Sequence, residues 1–163
     1  MNCEKNRVNA KDMLKRISEF PRDDTLNLQV ISEEECDLYT RKLVSYNVFK
    51  DEKVEAYVLI PKGISTPMPS VLAIHGEGNN NSYESGKSNL AVERDDNYLA
   101  VAAELCKKGN VVICPDRFPY ESRRISCDEL QNEYERIEAG NKLLYEGITE
   151  LGKEINELIN YCS

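Results

Sequence analysis

VLAIHGEGNNNSYESGKSNL, residues Val71–Leu90, is the stretch whose reading decides the fold. A run of apolar residues stops at His75-Gly76, opens into Gly, Asn and Ser, and passes through Gly86-Lys87-Ser88. A loop of this composition either cradles a phosphate or aims backbone amides at a reacting carbonyl. The two readings belong to different chemistries, and spacing separates them.

A phosphate loop of the G-x-x-x-x-G-K-[ST] type needs its first glycine five residues before the second, with a helix starting at the lysine. Counting back from Gly86 gives Asn81, and Gly78 is three residues too far away. The next helix start that the pattern predicts is near Asp95, well past Lys87. Gly86-Lys87-Ser88 therefore reads as a three-letter coincidence.

The carbonyl reading starts from the place of His75-Gly76 at the carboxyl end of an apolar strand, where sites form in open α/β sheets. A glycine there allows a sharp turn and leaves N–H groups facing the crevice. Amides so placed, from Gly76 and Glu77, can stabilise a developing oxyanion by about 3–4 kcal/mol in acyl transfer. Because the donors are backbone groups, the acidic side chain of Glu77 does not oppose the role.

Outward from this loop, Ser70–Ile74 and Val111–Cys114 are short continuous apolar runs, as expected of strands buried on both faces of a parallel sheet. Between them, Asp95 or Asp96 can cap a helix carrying Leu99, Ala102, Ala103 and Cys106, which ends at Lys107-Lys108-Gly109. Strand, helix and strand make a βαβ unit. Before it, Val44, Tyr46 and Val48, then Val54, Ala56, Val58 and Ile60, alternate as in a β-hairpin. Asn9-Ala-Lys-Asp12 resembles a capping box, so a short helix is expected over residues 10–19, followed by an irregular segment to about Cys36.

In the last third, Leu130, Tyr134, Ile137, Leu144, Ile148, Leu151, Ile155 and Leu158 recur at spacings of four and three, with Asn141 in the series. A coiled coil is one reading. Gly140, Gly147 and Gly152 oppose a long isolated helix, since each costs roughly 1 kcal/mol relative to alanine. The preferred expectation is a loop or short helix to about Gly140, then a helix from Asn141 to Tyr161 lying on the sheet. The expected organisation is a lead-in over residues 1–36 and one α/β domain over residues 37–163.

Composition narrows the function classes. The 163 residues are 40% hydrophobic and 31% charged, an ordinary globular balance for a single domain with one sizeable core. The net charge of −8 argues against nucleic-acid or anionic-membrane partners. Six scattered cysteines without a C-x-x-C pair, and a single histidine, argue against a structural zinc. The first twenty residues lack the apolar core of a signal peptide, and no run reaches the length of a membrane span. Reduced thiols in a cytoplasmic protein are the expectation.

The order of hairpin, strand ending in His75-Gly76, helix, and "VVICPDRF" (Val111–Phe118) resembles the first half of the α/β-hydrolase fold. The phrases "LAVAAELCKKGNVVICPD" (Leu99–Asp116) and "FPYESRR" (Phe118–Arg124), with the Gly86-Lys87-Ser88 loop, are similar to the dienelactone hydrolase and acetyl-xylan-esterase branch. The closing "ELGKEINELINY" (Glu150–Tyr161) resembles the helix that precedes the nucleophile strand. The resemblance spans about residues 38–162. It implies a three-layer α/β fold, and ester or thioester hydrolysis by a Ser-His-Asp/Glu triad with a G-x-S-x-G elbow, without metal or cofactor. The chain departs from that pattern, because no G-x-[SC]-x-G occurs in its 163 residues. It thus reads as an incomplete hydrolase fold, with an oxyanion side, no catalytic triad, and no serine-hydrolase turnover expected of it alone.

Individual residues carry paired readings. His75 either supports the oxyanion loop or is a buried, hydrogen-bonded core histidine. Asp116, after a strand and a proline, either serves the reaction or braces a turn. Glu121, Arg123 and Arg124 either orient a substrate carboxylate or form a structural ion-pair cluster. Cys114 and Cys127 read as inert thiols, and Glu133, Glu135 and Glu138 as a solvated helix face. The resemblance places a further strand beside Val71–Ile74, so that edge is expected to be open and able to pair. A complementary C-terminal hydrolase half or a second copy is the implied partner. The alternative function is a non-catalytic interaction module that associates through the open edge or the C-terminal helix.

Overall fold

The computed structural model describes residues 12, 26–48, 52–64, 67–76, 82–94 and 100–159. Apart from Asp12, the helix expected over residues 10–19 lies outside them, as do Glu77 and Asp95–Leu99.

Tyr39–Asn47 (β2) and Lys53–Pro61 (β3) form the expected hairpin, paired antiparallel from Tyr39↔Pro61 to Asn47↔Lys53. Its alternation serves two cores. Val44, Tyr46, Val48, Val54 and Ala56 form one cluster, with Val58 and Ile113 packed against it. The intervening positions Tyr39 and Leu59 enter a second cluster with Ala91, Ala100, Ala102, Ala103, Cys106, Val112 and Cys114. Small side chains dominate the helical part of that cluster, which lets helices settle close to the strands.

The segment before the hairpin is a strand rather than an irregular lead-in. Gln29–Glu35 (β1) pairs antiparallel with β2, with a register shift between Val30 and Ser32. All seven of its residues are exposed, so no apolar alternation marks it. Charge pairing stands in its place: Glu34 meets Arg41 at 2.6 Å and Glu33 meets Lys42 at 2.9 Å. An acidic strand at this end of the sheet also discourages further pairing.

Ser70–Leu72 (β4) and Val111–Pro115 (β5) are parallel, with Ser70↔Val111 and Leu72↔Ile113 in register. The five-stranded order is β1-β2-β3-β5-β4, and β5 pairs antiparallel with β3. The sheet is therefore mixed, and among the described strands only the β4–β5 pair is parallel. β4 is also shorter than expected and only partly buried, because it ends the sheet instead of lying within it.

Two helices lie between these strands. Lys87–Ala91 (α1) was not anticipated, and Val101–Lys107 (α2) starts after Ala100, which gives no side-chain cap. Gly109 stops α2 as expected: at φ +94° it donates its N–H to the Cys106 carbonyl at 2.8 Å.

The C-terminal region is two helices broken at a different glycine from the one expected. Glu129–Tyr145 (α3) runs through Gly140, and Glu150–Ile159 (α4) follows. Asp128 caps α3 by accepting the Gln131 N–H at 2.8 Å. The break is at Gly147, φ +78°, a conformation that stops a helix, whereas a glycine inside one only weakens it. Most of the apolar series faces away from the sheet; Ile148 and Leu158 alone are half-buried. Leu130, Tyr134, Ile137, Leu144, Leu151 and Ile155 are exposed, while Asn132, Asn156 and Glu157 are buried. Both helices turn polar residues inward. Among the described residues, no helix is long and apolar enough to cross a membrane.

Candidate functional site

The candidate residues converge at the carboxyl ends of β4 and β5. His75 follows β4, and Asp116 and Arg117 follow β5. The chain then makes a 3-10 turn at Glu121–Arg123. Parallel pairing of β4 with β5 brings these loops side by side, which is why residues 42 apart can touch.

His75 is almost wholly buried and uses both ring nitrogens. Nδ1 donates to the Gly76 carbonyl at 2.8 Å, and Nε2 accepts the Arg117 N–H at 3.0 Å. These partners fix the neutral Nδ1–H tautomer. Burial pushes its pKa below 6.5, against the raising pull of the Gly76 carbonyl and the Asp116 carboxylate. Tyr120 packs edge-on at 5.1 Å between ring centroids. The imidazole therefore ties the His75-Gly76 turn to the loop after β5. Gly76 lies at this turn; Glu77, its expected partner as an oxyanion donor, is outside the described residues.

Beside His75 sits a buried charge cluster built on Lys87. Its Nζ donates to Asp116 Oδ2 at 2.6 Å and to Glu121 Oε1 at 2.8 Å, and lies 3.5 Å from Glu55. Burial alone would lower the lysine's pKa, but the Asp116 and Glu121 carboxylates hold it above its ordinary value. Glu121 is the converse: burial pulls its pKa up, and Lys87 with the Ser88 and Gly86 amides brings it below 4.5. Asp116 Oδ2 also accepts from Ser122 Oγ at 2.6 Å.

The Gly86-Lys87-Ser88 loop thus corrects one part of the sequence expectation. A helix does start at Lys87, although the glycine spacing of a phosphate loop is still absent. Its amides do bind anionic groups, and these are the protein's own. Gly86 and Ser88 each donate to Glu121 Oε2 at 2.9 Å, and Lys87 donates to Asp116 Oδ1 at 2.8 Å. Only glycine fits at position 86, where a Cβ would stand 2.5 Å from Asp116 Oδ1 and 2.9 Å from His75 Nε2. Glu121 carries φ +46°, rare for a residue with a side chain. Its N–H to the Tyr83 carbonyl at 2.9 Å and its three carboxylate contacts hold it there.

Arg123 and Arg124 point away from this cluster. Arg123, almost fully buried, makes a bidentate pair with Glu157 of α4 at 2.6 and 2.9 Å and reaches Glu52 at 3.0 Å. Arg124 bonds the Cys127 carbonyl at 2.6 Å and Glu129 at 3.0 Å. Arg117, unremarked in the sequence, bridges the His75 carbonyl and Glu154 of α4. In the sequence Lys87 stood out only as the lysine of a rejected phosphate loop. Its one signal was local: it is the only charge in Ser85–Val92, among small and apolar neighbours. Burial pushes the Cys114 thiol up to about 12, which leaves it unreactive. Among the described residues, no group of three or more His, Cys, Asp or Glu side chains is arranged to hold a metal ion.

A cavity of about 590 Å³ opens beside the loop, between Tyr83, Phe118 and Tyr120 on one side and Glu133, Arg136 and Glu150 on the other. A smaller one, about 210 Å³, lies against Ile74, Asp116, Arg117 and Glu154.

Comparison with known proteins defines the class of fold. No family model matches the chain, and neither does any curated protein sequence. Among solved structures, it is similar to a candidate acetyl xylan esterase from Bacteroides fragilis NCTC 9343, at 22% identity and a TM-score of 0.73. The superposition covers 97% of this chain and 42% of that one. The chain has an α/β fold similar to that of this neighbour and spans less than half the neighbour's length.

Proposed function

We propose that the chain is the oxyanion-side portion of a carboxylic-ester or thioester hydrolase. The observation that carries this reading is the double hydrogen bonding of His75, which commits the imidazole to holding the His75-Gly76 turn. A ring with both nitrogens engaged to backbone groups is a positioning residue and leaves the general-base role to a histidine elsewhere. In this reading the Gly76 and Glu77 amides receive the carbonyl oxygen as a nucleophile adds to the carbon, and release it when the leaving group departs. Asp116, 3.9 Å from His75 Nε2 and held by Lys87, stands beside the turn. The nucleophile, its base and its acid lie outside these 163 residues, so the chain alone performs no turnover.

The chain alone is expected to leave p-nitrophenyl acetate unhydrolysed and to take up no fluorophosphonate probe; stoichiometric labelling of one of its serines would overturn the reading. A second reading, a non-catalytic interaction module, is favoured by the outward apolar faces of α3 and α4 and by β4 ending the sheet.

A further inference from the structure

We propose that Arg117 is a positioning residue for the oxyanion turn: its guanidinium, steadied by Glu154 of α4, holds the His75 carbonyl and so aims the Gly76 N–H. This role rests on the hydrolase function proposed above. Arg117 grips His75 at both ends. Its backbone N–H donates to Nε2 at 3.0 Å, and its Nη1 donates to the His75 carbonyl at 3.4 Å. The other arm of the fork, Nη2, donates to both Glu154 oxygens at 3.2 and 3.3 Å. Tyr120 packs against both groups, its ring 5.9 Å from the guanidinium carbon and 5.1 Å from the imidazole.

Peptide geometry carries this contact to the reacting side. The His75 carbonyl and the Gly76 N–H belong to one planar trans unit, so they point in opposite directions and turn together. A donor fixed on the carbonyl therefore fixes the direction of the N–H. The next carbonyl is held as well, because the Gly76 oxygen accepts from His75 Nδ1 at 2.8 Å. Gly76 has no side chain to anchor it; it is exposed, with open space where a Cβ would stand. Its backbone is oriented through the two flanking carbonyls, and Arg117 is the partner that comes from outside the turn. A charged donor on the carbonyl also polarises the peptide unit and strengthens its N–H as a donor. Arginine suits the position because one planar fork spans a carbonyl and a carboxylate, where lysine offers a single point charge.

The test exploits the chain's only histidine. Isotope labelling of the histidine carbonyl carbon and the glycine nitrogen leaves one labelled peptide bond, His75–Gly76, and one carbonyl–amide NMR cross-peak from the whole 163-residue chain. Far-UV circular dichroism confirms folding. The wild type is expected to give a single sharp peak. Arg117→Met is expected to move the carbonyl carbon upfield, as on loss of a hydrogen bond, and to broaden or split the Gly76 amide. Arg117→Lys is expected to change the peak nearly as much, since one ammonium cannot bridge both acceptors. Glu154→Gln leaves Arg117 in place and is expected to move the peak the same way by less. A peak unmoved in folded Arg117→Met or in folded Glu154→Gln overturns the proposal, as does full recovery in Arg117→Lys. The peak reports the turn's geometry without turnover, so the two failures are distinguishable. Fluorophosphonate labelling of a serine sinks the hydrolase function and leaves this peak as expected, whereas an unmoved peak sinks only the role of Arg117.

Discussion

At the scale of single residues, Lys87 does most to define the site. One ammonium holds two carboxylates that come from just after β5 and from the following turn, 29 and 34 residues away in sequence. Lys87→Met keeps much of the aliphatic bulk but leaves the buried Asp116 and the half-buried Glu121 without their cation. Truncating one side of such a cluster costs about 3–5 kcal/mol, whereas replacing both sides is far milder. Urea denaturation is expected to show that loss for Lys87→Met, with partial recovery in Lys87→Met/Glu121→Gln. If the double variant is no more stable than the single, the cluster is not held by this charge pairing. The Glu121 contribution also has a definite pH sign. Its folded pKa lies below 4.5, so its stabilisation is present above that value and is lost as the pH falls through the folded pKa.

At the scale of elements, α4 is attached by charges rather than by an apolar face. Arg123–Glu157 is almost wholly buried, Arg117 reaches Glu154 at 3.2 Å, and Lys153 bonds Glu52 at 2.7 and 2.8 Å. Arg123→Met removes the most buried of these and leaves the Glu157 carboxylate only Lys153, at 3.7 Å. Hydrogen exchange is expected to accelerate throughout α4 in this variant while β2 and β3 keep their protection; unchanged exchange in α4 would show that the ion pair does not anchor it. The same inversion explains what the sequence did and did not disclose. The β2–β3 hairpin was legible because Val44, Tyr46, Val54 and Ala56 alternate into a core. β1 was not, because its seven exposed residues become a strand only by pairing with Arg41 and Lys42. The apolar series from Leu130 announced helices correctly but suggested the wrong facing, since periodicity marks a stripe and says nothing of what covers it.

At the scale of the molecule, the sheet is asymmetric in its two edges. β1 closes one with glutamates, while β4 leaves the other with Val71, Leu72 and a half-exposed Ile74. The candidate site gathers at the second edge, where β4 and β5 end. The strand-end position of His75-Gly76 was readable from the break in hydropathy alone. The Lys87 cluster was not, because its partners meet only once β5 has docked between β3 and β4. A motif test designed for phosphates could reject the wrong ligand, but it had no means of naming Glu121 as the right one.

The central claim is that His75 is a neutral residue that positions the oxyanion loop and does not act as a base. It is the chain's only histidine, so its ring signals in a proton–nitrogen NMR titration need no assignment. Burial places its folded pKa below 6.5, and stability therefore falls as the pH drops from about 6.5 toward that folded value. The predicted result is a midpoint below 6.5, with the proton on Nδ1 at neutral pH. A midpoint above 6.5, or a proton on Nε2, would contradict the account.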